Sequence, residues 1–292
     1  MTMVLDDLLA NLIDYAGLFP PAALEMRTAV RNYAEYRRGE HAGWLGRFVV
    51  PASRLAEFEQ AAEGVEKSHW RLSALGGGDP TADLAEIARF NDCHAAGEAQ
   101  VDTIEFKAAT SEEILSSMAR IPASLTAYIE IPIVEDPTRL IETISDRGAR
   151  AKVRTGGVTA DAFPASTNLA RFIVLCSDED VPFKATAGLH HPMRGVHRLT
   201  YEPDSPSAMM HGFLNVFLAA AFAQNGIGLE QLAELLEERS PEAFRFEQGS
   251  VTWRGEMAVR AHIRNTRSLL AVSFGSCSFL EPIEDLKKMG LR

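Results

Sequence analysis

Short apolar runs rich in β-branched and aromatic residues recur along the chain, separated by stretches whose apolar positions follow helical spacing. The strand-like runs are "LIDYAGLF" (12–19), "GRFVVP" (46–51), "WRLSALGG" (70–77) and "VDTIEFKA" (101–108), followed by "LTAYIEIP" (125–132), "RAKVRTGG" (150–157), "VPFKATAG" (181–188) and "LAVSFGS" (270–276). Helical patterns fill the intervals at 24–38, 53–63, 81–94, 111–120, 137–147 and 166–177. Strands alternating with helices predict βαβ units and a parallel sheet. Eight of them is the count of a (β/α)8 TIM barrel. A doubly wound sheet is the competing arrangement, but it tends to open with a glycine-rich turn after its first strand. Here "PPAA" follows instead, so the pattern favours the barrel.

The cadence breaks after the seventh strand. Residues 189–212 read as a long loop carrying His190, His191, His197 and His211. A helix ("GFLNVFLAAAFAQNG"), a second helix near 229–239, a β-hairpin in "FRFEQGSVTWRG" and a helix near 256–268 come before the eighth strand. Long irregular loops in compact domains usually serve as lids or binding loops. The expectation is one domain, 1–292, with an insertion at 189–268.

Side chains alternate along a strand, so parity separates its two faces. Ile104 and Phe106 oppose Thr103, Glu105 and Lys107, while Ile129 and Ile131 oppose Tyr128 and Glu130. Val153 opposes Lys152 and Arg154, Phe183 opposes Lys184 and Thr186, and Val272 and Phe274 oppose Ser273. A barrel packs its outer face on helices, so the polar set is expected inside, near the C-terminal rim where barrel active sites lie. That places Glu105, Lys107, Glu130, Lys152, Arg154 and Lys184 together, close enough to shift one another's pKa values.

Composition narrows the setting. The net charge of −11 disfavours nucleic acid and anionic membrane surfaces as partners but not a small anionic substrate, which a few local cations can hold. The first residues, "MTMVLDDLLANLID", have two acids and no basic segment, unlike a signal peptide, and no run is long enough for a membrane span. Cys93, Cys176 and Cys277 lack paired spacing, which predicts a reduced, cytoplasmic protein with no disulfide framework. Homo-oligomerisation is left open.

A protonated lysine is a poor nucleophile, and a second ammonium beside it disfavours the charged form and frees an amine to attack a carbonyl. The Schiff base that results is an electron sink for making or breaking an adjacent carbon–carbon bond, with a carboxylate or water moving protons. No metal or cofactor is required, and none is assigned. Lys152, Lys184 and Glu105 or Asp102 supply these parts.

Here the chain resembles the class I deoxyribose-phosphate aldolases, which carry out this chemistry. The motifs are "LIDYAGLFPPA", "GEAQVDTIEFKAA", "AKVRTGG", "PFKATAG" and "FGSCS", in the family's strand order but with few residues in each. The resemblance implies that Lys152 is the Schiff-base lysine and Lys184 its pKa-lowering partner, Asp102 the proton-relay acid and Asp14 a supporting acid. It also implies an anion site at Gly275, Ser276 and Ser278, and hence an aldolase-like lyase of carbohydrate metabolism. Three departures modify this. Parity sets Asp102 opposite Glu105, so either Glu105 takes its place or the strand bulges. "AGLHHP" stands where the family has a phosphate-gripping Gly-Gly turn, and the 189–268 insertion has no counterpart. Glu130, Arg154, Thr186, His190 and His191 are therefore the expected substrate contacts. Arg154 can clamp an anion or pair with Glu130. Two alternatives stay open: a metal-dependent lyase or isomerase using Glu105, Glu130 and His190 or His191, and a barrel that binds a metabolite without turnover.

Overall fold

The computed structural model describes residues 3–291. Eight parallel strands close into a barrel in chain order: β1 (Ile13–Tyr15), β2 (Leu45–Pro51), β3 (Trp70–Leu75), β4 (Ala99–Lys107), β5 (Thr126–Glu130), β6 (Arg150–Arg154), β7 (Phe183–Thr186) and β8 (Ala271–Ser276). This is the (β/α)8 TIM barrel. Each of the first six strands leads into a helix on the outside, and β8 pairs with both β7 and β1 to complete the ring.

Local chemistry sets the helix starts. Before Ser111–Met118, Thr110 and Glu113 form a reciprocal capping box. Before Pro80–Cys93, the Asp79 carboxylate accepts from the amides of Thr81 and Ala82, and Pro80 begins the helix where its missing N–H is not needed. The outward side chains of the strands are the apolar ones, as the parity predicts. Phe183 meets Phe172 edge-on at 5.3 Å, and Phe274 stacks on Phe213 at the same centroid distance. Phe213 belongs to Phe213–Gln224, a helix buried from Phe213 to Phe222 and apolar over that span except at Asn215. It fills the outer layer against β8, while Leu229–Glu237 and Arg260–Leu269 pack on it from outside.

Two parts of the insertion differ from the sequence expectation. The loop 189–212 contains a small antiparallel pair, Gly195–Arg198 with Ser207–Met210. The hairpin at 244–255 gains a third strand, Glu256–Val259, where a helix was expected, and that helix begins only at Arg260. The reason is the turn at Arg254 and Gly255, both at positive φ, which reverses the chain immediately after Trp253.

His211 ties the insertion to the barrel. It is buried, its Nε2 donates to the Pro164 carbonyl at 2.8 Å, and its Nδ1 faces Arg194 Nη1 at 3.1 Å. Only the neutral ring satisfies both contacts. Burial, with Arg194 adding to it, lowers its pKa to about 4 against the opposing pull of the Pro164 carbonyl. The unfolded chain protonates first on acidification, so His211's contribution is complete above its ordinary pKa of 6.5 and is lost as the pH falls toward 4. Urea unfolding at pH 7 and pH 4.5 should show about 2–3 kcal/mol of acid destabilisation that His211→Gln removes. An unchanged difference between the two pH values in that variant would exclude His211 as its source.

Candidate active site

Strand register assembles the site. Lys107 of β4, Glu130 of β5, Lys152 of β6, Lys184 of β7 and Ser273 of β8 are successive register partners, so three lysines and a carboxylate lie at one level around half the barrel. Glu105 and Asp14 point into the same space. Lys184 Nζ donates to Asp14 Oδ2 and to Glu105 Oε1, both at 2.6 Å. Lys152 Nζ lies 2.9 Å from Glu105 Oε2 and 2.9 Å from Glu130 Oε2. Glu105 therefore bridges the two lysines, one through each oxygen.

The environments of the two lysines differ. Lys184 is sealed, with 1% of its side chain exposed, and its ammonium lies 5.5 Å from the Tyr128 ring. Burial alone would lower its pKa, but the attraction of Asp14 and Glu105 outweighs that and holds it above the ordinary lysine value. Burial would likewise raise the Glu105 carboxyl, yet Lys152, Lys184 and the Ser73 hydroxyl hold it well below the usual carboxylate range. Lys184 is a fixed cation. Its charge is offset by two carboxylates, which weakens the electrostatic push it can exert on Lys152.

Lys152 and Lys184 both reach the wall of a cavity of about 610 Å3 at the C-terminal mouth, together with Glu105, Glu130, Arg154, Thr186, Gly275 and His190. Arg154, half exposed, places Nε 3.1 Å from Glu130 Oε1, and the largely exposed Lys107 lies 3.8 Å from the same oxygen. Burial would raise Glu130, but the three cations Lys152, Arg154 and Lys107 lower it. Asp14 completes the inner layer by accepting from the Ser273 hydroxyl at 2.8 Å and from the Arg47 amide.

Not every expected residue joins this group. Asp102 is the extra residue of a bulge between Val101 and Thr103 in the pairing with β3, so the strand does irregularly re-aim there. The bulge does not deliver it to the lysines. Its carboxylate is clamped by Arg47 at 2.6 Å and Arg71 at 2.7 Å, at the N-terminal end of the barrel. The carboxylate of β4 that meets the lysines is Glu105. Ser276 and Ser278 also stand apart from the cavity: Ser276 Oγ accepts from the Ser278 amide, and Ser278 Oγ accepts from the Glu281 amide at the start of Leu280–Lys288. Glu281, in the first turn of that helix, has His190 Nδ1 at 3.0 Å and accepts from the Tyr201 hydroxyl. Of the expected anion turn, only Gly275 lines the cavity.

His191 pairs with Asp285 at 2.6 Å and stacks on His197 at 3.4 Å. Both adjacent histidines thus turn toward the last helix. Glu105 and Glu130 are committed to the lysines, and among the described residues no three His, Cys, Asp or Glu side chains gather as a metal-ligand set.

No protein-family model matches the chain, and no curated protein matches it.

Ser73, Tyr128 and Tyr201 are contacts that sequence reasoning did not assign to the site. Ser73 had a readable signal, a lone hydroxyl inside the apolar run "WRLSAL". Tyr201 had none, because its reach to Cys277 and Glu281 depends on how the insertion folds back.

Proposed function

We propose that the barrel is an aldolase-like lyase that forms a Schiff base between Lys152 and a small carbonyl compound, in keeping with the sequence resemblance to the class I deoxyribose-phosphate aldolases. The observation that carries this is the asymmetry of the pair: both ammonium groups border the cavity, but Lys152 stands beside Glu130 with 6% of its side chain exposed, whereas Lys184 is sealed at 1% between Asp14 and Glu105. Attack on a carbonyl carbon requires an amine, so a proton passes from Lys152 to Glu130. Once Lys152 is neutral, the strongest cation lowering Glu130 is gone, so that carboxyl becomes a better base.

The carbinolamine oxygen then leaves as water with the proton held by Glu130, and an iminium forms on Lys152. Glu130, a carboxylate again, takes the proton of a β-hydroxyl while the Cα–Cβ electron pair moves into the iminium, releasing an aldehyde and leaving an enamine. Returning that proton to carbon regenerates the iminium, which water hydrolyses. Glu105 stays ionised throughout and balances both lysines. Arg154 and Lys107 at the mouth suit a substrate carrying carboxylate or phosphate.

A second reading, a metabolite-binding barrel without turnover, is favoured by the close pairing of Lys184, which has the character of a structural ion pair. Borohydride trapping separates the two. Incubation with small aldehydes and ketones, phosphorylated ones included, followed by reduction should leave a mass adduct that peptide mapping assigns to Lys152. No adduct across the panel, or one elsewhere, would overturn the Schiff-base mechanism.

A further inference from the structure

The opposite mouth of the barrel holds a second cavity, of about 470 Å3, with a different chemistry. Arg47, Arg71 and Arg150 come from the N-terminal ends of three strands, and Arg264 and Arg267 from the helix that precedes β8. Two carboxylates share the lining, Asp7 and Asp102. Asp102 is taken by Arg47 and Arg71, and Asp7 is paired with Arg260. Among the described residues, Arg150, Arg264 and Arg267 have no carboxylate within ion-pair distance. This cationic surplus lies in a chain whose net charge is −11.

The arginines are not all placed there by packing needs. Arg267 is buried and spends its donors on the carbonyls of Leu8, Ala10, Ala271 and Val272, a structural role. Burial without a carboxylate partner lowers its pKa to about 9, so its charge is poorly balanced. Arg150 makes one donation, to the Tyr128 hydroxyl at 3.0 Å, which leaves its other donors for the cavity. Arg264 is exposed on the rim, and its guanidinium makes no hydrogen bond or ion pair with any described residue. Planar guanidinium groups converging on one concavity match the oxygens of a tetrahedral oxyanion in bidentate fashion.

The geometry points to the N-terminal vestibule as a binding site for a phosphate-class anion, held by Arg150 and Arg264 with Arg71 at the rim and Arg267 at the back. The site is independent of the lysine chemistry at the other mouth. It is nonetheless separated from it by one side chain. Tyr128 has Arg150 within 5.6 Å of its ring and Lys184 within 5.5 Å, so it stands between the two centres.

The probes are inorganic phosphate and pyrophosphate, with the full-length protein at constant ionic strength set by chloride. Equilibrium dialysis should give saturable binding, about tenfold weaker in Arg264→Ala and in Ser268→Glu, which sets a carboxylate on the exposed rim. Arg154→Gln, at the opposite mouth, should leave unchanged the component of binding that Arg264→Ala weakens. Circular dichroism and the unfolding midpoint verify that each variant is folded, and Ser268→Glu alters a surface position should Arg264→Ala prove unstable. Non-saturable uptake, or equal affinity in wild type, Arg264→Ala and Ser268→Glu, overturns the site. Binding lost in Arg154→Gln but kept in the other two would place the anion at the C-terminal mouth and overturn it as well.

Discussion

Replacing Lys184 by methionine should cost about 3–5 kcal/mol of stability, the usual consequence of removing one partner from a buried ion pair. The side chain fits by volume, so the loss is electrostatic. Asp14 and Glu105, both buried, would each lose a 2.6 Å ammonium contact, and Asp14 would keep only the Ser273 hydroxyl and the Arg47 amide. Denaturant unfolding at pH 7 measures the change, and the thermal midpoint should fall by roughly 5–15 °C. Adding Asp14→Asn to the variant should recover part of the loss, because the uncompensated charge is then gone. The pH dependence has a defined sign. In the wild type the Glu105 carboxyl lies below its ordinary value, so the stability it brings is present above the usual carboxylate pKa and is lost as the pH falls below it. Without Lys184 that acid-side loss should shrink. A cost below about 1 kcal/mol would mean that the lysine is not the clamp its geometry describes.

Lys152 should separate charge from nucleophilicity. Lys152→Arg keeps a cation between Glu105 and Glu130 but has no amine that can form an imine. Its stability should stay near wild type, its borohydride adduct should vanish, and turnover on whichever carbonyl compound traps the wild type should fall by about 10^4-fold or more. Lys152→Met should lose the same activity and, in addition, stability. Steady-state rates with a purified substrate, alongside unfolding curves for both variants, provide the comparison. Turnover within tenfold of wild type in Lys152→Arg would remove Lys152 from the chemistry.

Much of this arrangement is legible in the sequence because a barrel strand has only two faces. Once Phe183 is taken as outward, Lys184 must be inward, and the same logic places Glu105, Glu130 and Lys152. What the pattern could not supply is local irregularity and long-range filling. The bulge at Asp102 obeys the pairing with β3, and its partners Arg47 and Arg71 lie on two other strands, so no local rule sends that acid to the N-terminal end. The serines after β8 look like an anion turn, but a hydroxyl at a helix start serves its own backbone equally well, and Ser278 does so. The third strand of the insertion was hidden by the helical spacing that begins soon after it. Which partner each lysine takes depends on shear between strands, and that is a property of the closed ring.

The ion pairs inside the barrel join parts of the chain that are made at different times. Asp14 is synthesised early, Lys184 comes 170 residues later, and the Ser273 hydroxyl that completes Asp14's set comes 259 residues after that aspartate. An emerging chain that has reached β7 carries both lysines and all three of their carboxylates, but it lacks the strand that seals them from water. Completion of the buried ion-pair set and the last closure of the fold are therefore one event. A chain that stops before β8 leaves Asp14 without the Ser273 hydroxyl and Lys184 without the strand beside it.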